Sequence, residues 1–380
     1  MKKVLFVATV VKTHIMEFHI PFLKMFKEEG WETAVAARND YELTEKCDIP
    51  YCDNYYDISF ARNPLNPLNL QAYKALKKII EDGNYDIIHC HTPVGGLLTR
   101  MAARNARKSG TRVIYTAHGF HFFDGAPLIN WLIYYPVERV MAHYTDDLIT
   151  INSEDYERAQ SFKAKRVHYV PGVGIDIKSF SPDFWQNKKN KMKKRNELDL
   201  KENDFVIVSV GELIKRKNHK AVIYAIAQIK QQSLQDYERI QYLICGSGIL
   251  EEKLKKLARD LNVEKHIHFM GYRNDICEIY QASDLFIFVS LQEGLPVAMM
   301  EAMACGLPVI GSDIRGNKDL VINGKNGILI DNSIESVREA IIESLHGQLL
   351  IENDVEERID YMKRFSLSNV EKQMYKIYFR

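Results

Sequence analysis

This 380-residue sequence predicts two doubly wound α/β domains in series, and three observations carry that expectation. Apolar, strand-like runs alternate with helix-like segments from end to end, the pattern of parallel sheets covered by helices on both faces. The alternation breaks once, at the charged, hydrophobe-poor stretch 183–204, and restarts with FVIVSV. Hydrophobic residues make up 46%, enough to fill two cores of ordinary size.

The elements follow in order. KVLFVATV reads as a first buried strand, with a helical pattern from about Phe18 to Glu29 and a second strand, ETAVAA, behind it. DIIHCH, the apolar and basic helix LLTRMAARNAR, VIYTAH, the segment WLIYYPVERVMAHY, DDLITIN and a short VHYVP complete the first half. The opening MKKVLFVATVV has the basic and apolar regions of a signal peptide. Lys12 interrupts it, however, and no small-residue cleavage site follows, so it is expected to be the first strand. After the charged stretch come FVIVSVGEL, a helix around Ala221 to Ile229, QYLICGSG, the helix GILEEKLKKLARDL, HIHFMG, DLFIFVS and LPVIGSD. The residues from about Asp354 to Arg380 read as polar amphipathic helix. The expected division is therefore a Rossmann-like domain over 1–182, a charged linker over 183–204, and a second Rossmann-like domain over 205–355. A C-terminal helix over 356–380 is expected to pack back toward the first domain. Two such domains face each other across a cleft between their strand ends.

Composition narrows function. Lys plus Arg number 51 and Asp plus Glu 50, so nucleic acid is not an expected partner. The six cysteines form no CxxC pair, which favours reduced thiols and a cytoplasmic protein. No run of about 18 apolar residues is present, and no spanning helix is expected. The basic run Lys188 to Arg195 reads as a solvated face, with contact to anionic lipid headgroups as the alternative. The rings of Trp131, Tyr134 and Tyr135 divide in the same way between core packing and a lipid or sugar.

The most informative motif is the pair Glu293 and Glu301. DLFIFVS reads as a strand that Gly294 and Pro296 break, and VAMMEAMA as a helix beginning near Pro296 or Val297. Glu293 then lies in the loop at a strand's carboxyl end, where open parallel sheets bind ligands. Glu301 lies about one turn into the helix, whose amino-terminal N–H groups suit a phosphate. Carboxylates for hydroxyls beside amides for phosphate fit a nucleotide-sugar. Lys217 follows the strand FVIVSV and is favoured as a diphosphate ligand, with Lys215 and Arg216 as alternatives. The turn CGSG places Gly246 where a ligand can approach, and Tyr272 and Arg273 in GYRND are placed to receive a base.

In the first half, His118 sits at a strand end, well placed to meet a reacting sugar. His89 and His91 flank Cys90 and are read as alternating across the strand end, so that at most one faces the cleft. His14 and His19 flank the first strand–helix loop. Five histidines in one half raise the question of a metal, but their spacings match no dense ligand motif and none is expected.

These residues resemble glycosyltransferase family 4, the retaining enzymes of GT-B fold, and most of all its bacterial exopolysaccharide and capsule branch. ATVVKTHIMEFHIPFLK, DIIHCHTPVGGLLTR, VIYTAHGFHFF, NWLIYYPVER, TDDLITIN, VPGVGID, KNHK, GYRNDI and EGLPVAMMEAMACGLPVI carry the resemblance in order along nearly the whole chain. It implies that Glu301 binds ribose hydroxyls, Glu293 the donor sugar, the backbone of Gly294, Leu295, Pro296 and Val297 the diphosphate, and Lys217 its charge. It places His118 at the anomeric centre, with His14, His91 and Phe120 on the acceptor side. It implies no cofactor and no metal, and transfer from a UDP-sugar to a glycan or lipid-linked saccharide, with the protein cytoplasmic or on the inner face of the membrane. One departure stands out: Glu212 occupies a position where the family carries arginine. Glu212 is expected to turn away, with Lys215, Arg216 or Arg315 supplying the missing charge. A UDP-sugar 2-epimerase of the same architecture and a non-catalytic nucleotide-sugar-binding subunit are the alternative functions.

Overall fold

The computed structural model describes residues 1–42, 44–180, 188–349, 351–352 and 354–380. They divide into two compact units, Met1–Val173 with Val370–Arg380, and Gly174–Asn369.

The first unit is built on a seven-stranded parallel sheet: β1 (Lys3–Val10), β2 (Glu32–Arg38), β3 (Asn54–Asp57), β4 (Ile87–His91), β5 (Arg112–Ala117), β6 (Asp147–Thr150) and β7 (Arg166–Tyr169). Their order is β3-β2-β1-β4-β5-β6-β7, so the winding reverses between β1 and β4. β1 is buried along nearly its whole length, which is why it reads as an unbroken apolar run. Apolar layers lie on both faces of the sheet, one around Leu5, Val7 and Val113, the other around Val4, Phe6 and Phe26. Residues 370–380 belong to the second layer through Val370, Met374, Ile377 and Tyr378. Arg112 fastens them, donating to the carbonyls of Tyr378 at 2.9 Å and Ile377 at 2.5 Å.

The second unit carries β8 (Phe205–Val210), β9 (Ile240–Cys245), β10 (Ile267–Gly271), β11 (Leu285–Phe288), β12 (Val309–Ser312) and β13 (Ile328–Ile330), all parallel. The order β10-β9-β8-β11-β12-β13 reverses between β8 and β11. The glutamate-bearing helix runs Val297–Ala304, with Pro296 just before it.

The charged stretch behaves differently from a linker. Helix Lys188–Glu197 belongs to the second unit, and Arg195, 2% exposed, donates to the carbonyls of Ala282 and Glu202 and to Asp284. Lys191 also holds Asp284, and Lys194 holds Asp275. Three cations of the basic run are thus spent inside the unit rather than offered to lipid. The run looked solvated because its partners, Asp275 and Asp284, lie far along the chain.

Candidate functional site

Both units gather their polar side chains where the winding reverses, the place at which a parallel sheet leaves a crevice beyond its strand ends. In the second unit the loops after β8 and β11 meet there. The chain from Val289 to Glu293 is held carbonyl by carbonyl. Asn218 donates to Val289 O (3.1 Å), Ser312 to Ser290 O (2.6 Å), Arg216 to Gln292 O (3.0 Å) and Arg315 to Glu293 O (3.2 Å). A loop pinned at four carbonyls presents its side chain in one place, and that side chain is Glu293, 7% exposed.

Glu293 Oε1 accepts from Lys217 Nζ at 2.8 Å and from Arg216 at 2.9 Å. Lys217 also lies 4.5 Å from the centre of the Phe288 ring. Burial lowers the Lys217 pKa from its ordinary value, and Glu293 only partly restores it. Of the three alternative cations, Arg216 is engaged with Glu293, Arg315 is buried as a brace for the loop, and Lys215 is exposed.

Beside this pair lies a cavity of about 400 Å³ whose wall includes Gly211, Gly246, Tyr272, Arg273 and Glu301. Gly246 lets the two turns close against each other beside it: a Cβ there, at φ +138, would sit 2.1 Å from Gly211 O. Tyr272 is 77% exposed, an open ring face of the kind on which a base stacks. Arg273 is paired with Asp275, and Tyr280 donates to Glu301 at 3.3 Å. No side chain caps the helix at Pro296, so its first N–H groups stay available. Glu212 is exposed and lines this same cavity, which differs from the expectation that it turns away.

In the first unit the ends of β1, β4 and β5 bring His14, His19, His91 and His118 together, with ligand nitrogens all within 4.8 Å of one another. His89 and His91 point the same way, their rings 4.0 Å apart. The reading that they alternate was wrong in its geometry. Residues two apart on a strand share a face, and Cys90 between them takes the other. His89 is a core histidine, bonded to Thr116 and to the Tyr378 hydroxyl, both at 2.8 Å. Burial pushes its pKa down to about 3, and that of His118 down to about 4. His14, His19 and His91 are lowered well below the ordinary value by burial, reinforced by the neighbouring imidazoles. Thr92, directly after His91, holds φ 63 and ψ 151, a strained geometry for a residue with a side chain.

Phe120 was expected on the acceptor side and is instead core, 2% exposed and stacked on Phe122 at 4.7 Å. An aromatic at a strand end serves packing as readily as binding, and the sequence does not separate the two. What the sequence reading missed is a mostly apolar cavity of about 380 Å³, lined by Val10, Leu97, Ile133 and Val137, with His14 and Arg62 also on its wall. Ile133 belongs to helix Leu128–Met141, which exposes Leu128 (81%), Ile129 (57%) and Leu132 (73%) while Trp131, Tyr134 and Tyr135 pack on the core. The aliphatic i, i+1, i+4, i+5 spacing of Leu128, Ile129, Leu132 and Ile133 is the signal the sequence carries for it. Among the described residues no helix is long and apolar enough to cross a membrane.

Two family models match: glycosyl transferases group 1 over residues 190–364, and glycosyl transferase 4-like over residues 3–153. EpsD of Bacillus subtilis, described as a glycosyltransferase, is 42% identical over 87% of this chain and 83% of its own. This chain is a GT-B glycosyltransferase. A second relative of the glycosyltransferase, the Escherichia coli UDP-Gal:alpha-D-GlcNAc-diphosphoundecaprenol alpha-1,3-galactosyltransferase, is 34% identical over 74% of this chain and 72% of its own. The Anabaena protein Alr3699/HepE, solved with UDP and glucose, superposes with a TM-score of 0.76 at 19% identity, covering 99% of each chain. That likeness supports the GT-B fold of this enzyme.

Proposed function

We propose that this glycosyltransferase moves a hexosyl or N-acetylhexosaminyl group from a UDP-sugar to a lipid-linked saccharide in cell-surface or exopolysaccharide synthesis, with retention of configuration. The carrying observation is the pinned Glu293 with buried Lys217, next to a cavity containing Glu301 and the open face of Tyr272. Tyr272 receives the base and Glu301 the ribose hydroxyls. The free N–H groups at Val297 and the ammonium of Lys217 meet the diphosphate, and Glu293 holds the sugar. The bond between the anomeric carbon and the diphosphate oxygen breaks as the acceptor oxygen bonds that carbon. The acceptor proton passes to the departing phosphate, and no side chain is then required as a general base.

For the acceptor, the apolar cavity of the first unit accommodates an isoprenoid or acyl segment, and Arg62 on its wall offers a guanidinium to a phosphate. The exposed aliphatic face of helix Leu128–Met141 suits the surface of a bilayer that holds such an acceptor. A relative acting on a diphosphoundecaprenol-linked sugar supports this choice. We assign His118 to the chemistry of the reacting sugar, and His14, on the same cavity wall, to the acceptor side.

The test is UDP release from a panel of UDP-sugars, with and without diphosphate-linked lipid saccharides. Glu293→Ala is expected to abolish transfer while changing UDP affinity little, and Glu301→Ala mainly to weaken UDP binding. The reverse pattern would overturn the two assignments, and acceptor-independent turnover would overturn the reaction.

A further inference from the structure

Two cysteines that the transfer reaction does not use, Cys277 and Cys305, meet beside the donor cavity. Helix Ile276–Ala282 follows the loop of Tyr272 and Arg273, and its first residue, Ile276, lines that cavity. It packs on helix Val297–Ala304 through Tyr280, whose hydroxyl lies 3.1 Å from Ala298 O and 3.3 Å from Glu301 Oε2. Cys277 is about one turn before Tyr280, and Cys305 about one turn after Glu301. Positions so placed meet when two helices run in opposite senses, and here they do: the Cys305 thiol donates to the Cys277 sulfur. The turn Ile177–Phe180 packs on helix Val297–Ala304 and fixes Cys277 from the other side, since Cys277 donates to Ser179 O at 3.2 Å. Cys277 is half-buried, and Cys305 is 8% exposed.

We propose that Cys277 and Cys305 form an oxidative modification site, which closes to a disulfide and so weakens donor binding. Cys277 reacts first. Of the six cysteines, all among the described residues, it is the one held below the ordinary thiol range, by the hydrogen bond from Cys305. Burial pushes Cys52 up to about 11 and Cys90 and Cys245 up to about 12, and it raises Cys47 as well. The Cys277 thiolate attacks a small-molecule disulfide such as oxidised glutathione, breaking its S–S bond and forming a mixed disulfide. One glutathione leaves with the proton that Cys277 gave up. Cys305 then attacks the Cys277 sulfur, and the second glutathione leaves with the Cys305 proton. Two electrons pass from the protein thiols to the small disulfide. Burial raises Cys305 and the Cys277 sulfur adds to this; the second contribution ends once Cys277 is capped, which sets the order of the steps.

Sulfurs in a disulfide lie about 2 Å apart, closer than two thiols sharing a hydrogen bond, so closure draws the two helices together. One of them carries Glu301 and the free N–H groups at Val297, and the other carries Ile276. Both walls of the cavity shift at once. This consequence rests on reading the cavity as the UDP site, whereas formation of the bond does not.

The experiment equilibrates the full chain in glutathione buffers of rising oxidised fraction, quenches it by alkylation and maps its peptides by mass spectrometry. A Cys277–Cys305 disulfide is expected while Cys90 and Cys245 remain reduced. Cys305→Ser should trap the glutathione adduct on Cys277, and Cys277→Ser should leave Cys305 reduced. UDP affinity by calorimetry should fall at least about fivefold on oxidation, the lower end of ordinary coupling between sites, and Cys277→Ser should abolish that loss. Linkage requires the reciprocal effect: saturating UDP must make the disulfide harder to form by the same factor. A glutathione adduct that persists on Cys277 in the unsubstituted chain, other cysteines oxidised first, or a disulfide that leaves UDP affinity unchanged overturns the proposal. If the reduced chain binds no UDP, the donor-site reading falls and takes the effect on binding with it, while the peptide map still decides the bond.

Discussion

Glu293→Gln, Lys217→Met and the double substitution form a cycle that tests how firmly a buried ion pair holds the donor loop. Lys217 Nζ and Glu293 Oε1 are 2.8 Å apart, with side chains only 13% and 7% exposed. At that separation the gross attraction is about 6 kcal/mol for an effective dielectric of 20. Desolvation offsets a large part of it, as the lowered Lys217 pKa records. Removing the carboxylate charge strands a buried ammonium, a loss of about 3–5 kcal/mol in comparable pairs. There is a ceiling, because Lys217 can shed its proton instead. From an ordinary pKa of 10.5, neutralisation at pH 7 costs about 5 kcal/mol at 1.36 kcal/mol per unit, and less for a group already lowered. Arg216, whose side chain is 39% exposed, is solvated and contributes little. Glu293→Gln is therefore expected to destabilise the second unit by about 3 kcal/mol and Lys217→Met by about 2, with a coupling of about 2 kcal/mol in the double variant. Hydrogen exchange read by mass spectrometry on the full chain reports this through peptides over β8 and β11, with β1 and β4 as the internal control. Additive effects, with coupling below about 0.5 kcal/mol, would refute the pair as the loop's anchor.

Three further outcomes follow from the geometry. Gly246→Ala forces a Cβ to within 2.1 Å of Gly211 O, so UDP affinity by calorimetry should fall at least about tenfold, equivalent to about 1.4 kcal/mol, and unchanged affinity would show that the turn yields freely. The buried histidines should make the first unit acid-sensitive. Unfolded histidine takes up protons near pH 6.5 while His118 resists to about 4 and His89 to about 3, so their stabilisation is complete above about pH 6.5 and is lost as pH falls toward those values. Exchange protection of β4 and β5 that stays flat from pH 7 to 5 would contradict this. Replacing Leu128 and Leu132 by Glu should abolish co-sedimentation with anionic vesicles, whereas neutralising Lys191 and Lys194 should act mainly on stability, since both are paired within the second unit.

The amino-acid order by itself determined the two parallel sheets and the placing of Lys217, Glu293 and Glu301. Buried parallel strands are continuous apolar runs, and the breaks after them mark strand ends, so position along the chain fixes position at the sheet edge. The short edge strands β3 and β13 were not legible, because half-buried runs of four and three residues carry too little pattern. Everything that depends on residues far apart in sequence was left to the tertiary structure. It alone decided that Arg195 is buried against Ala282 and Asp284, that Phe120 packs on Phe122, and that Glu293 pairs with Lys217. The four histidines make the same point: one follows β1, one precedes the next helix, one ends β4 and one follows β5, and only the strand order β1-β4-β5 makes them neighbours. Periodicity reports which way a side chain points, and only the folding of the sheet reports what it then meets.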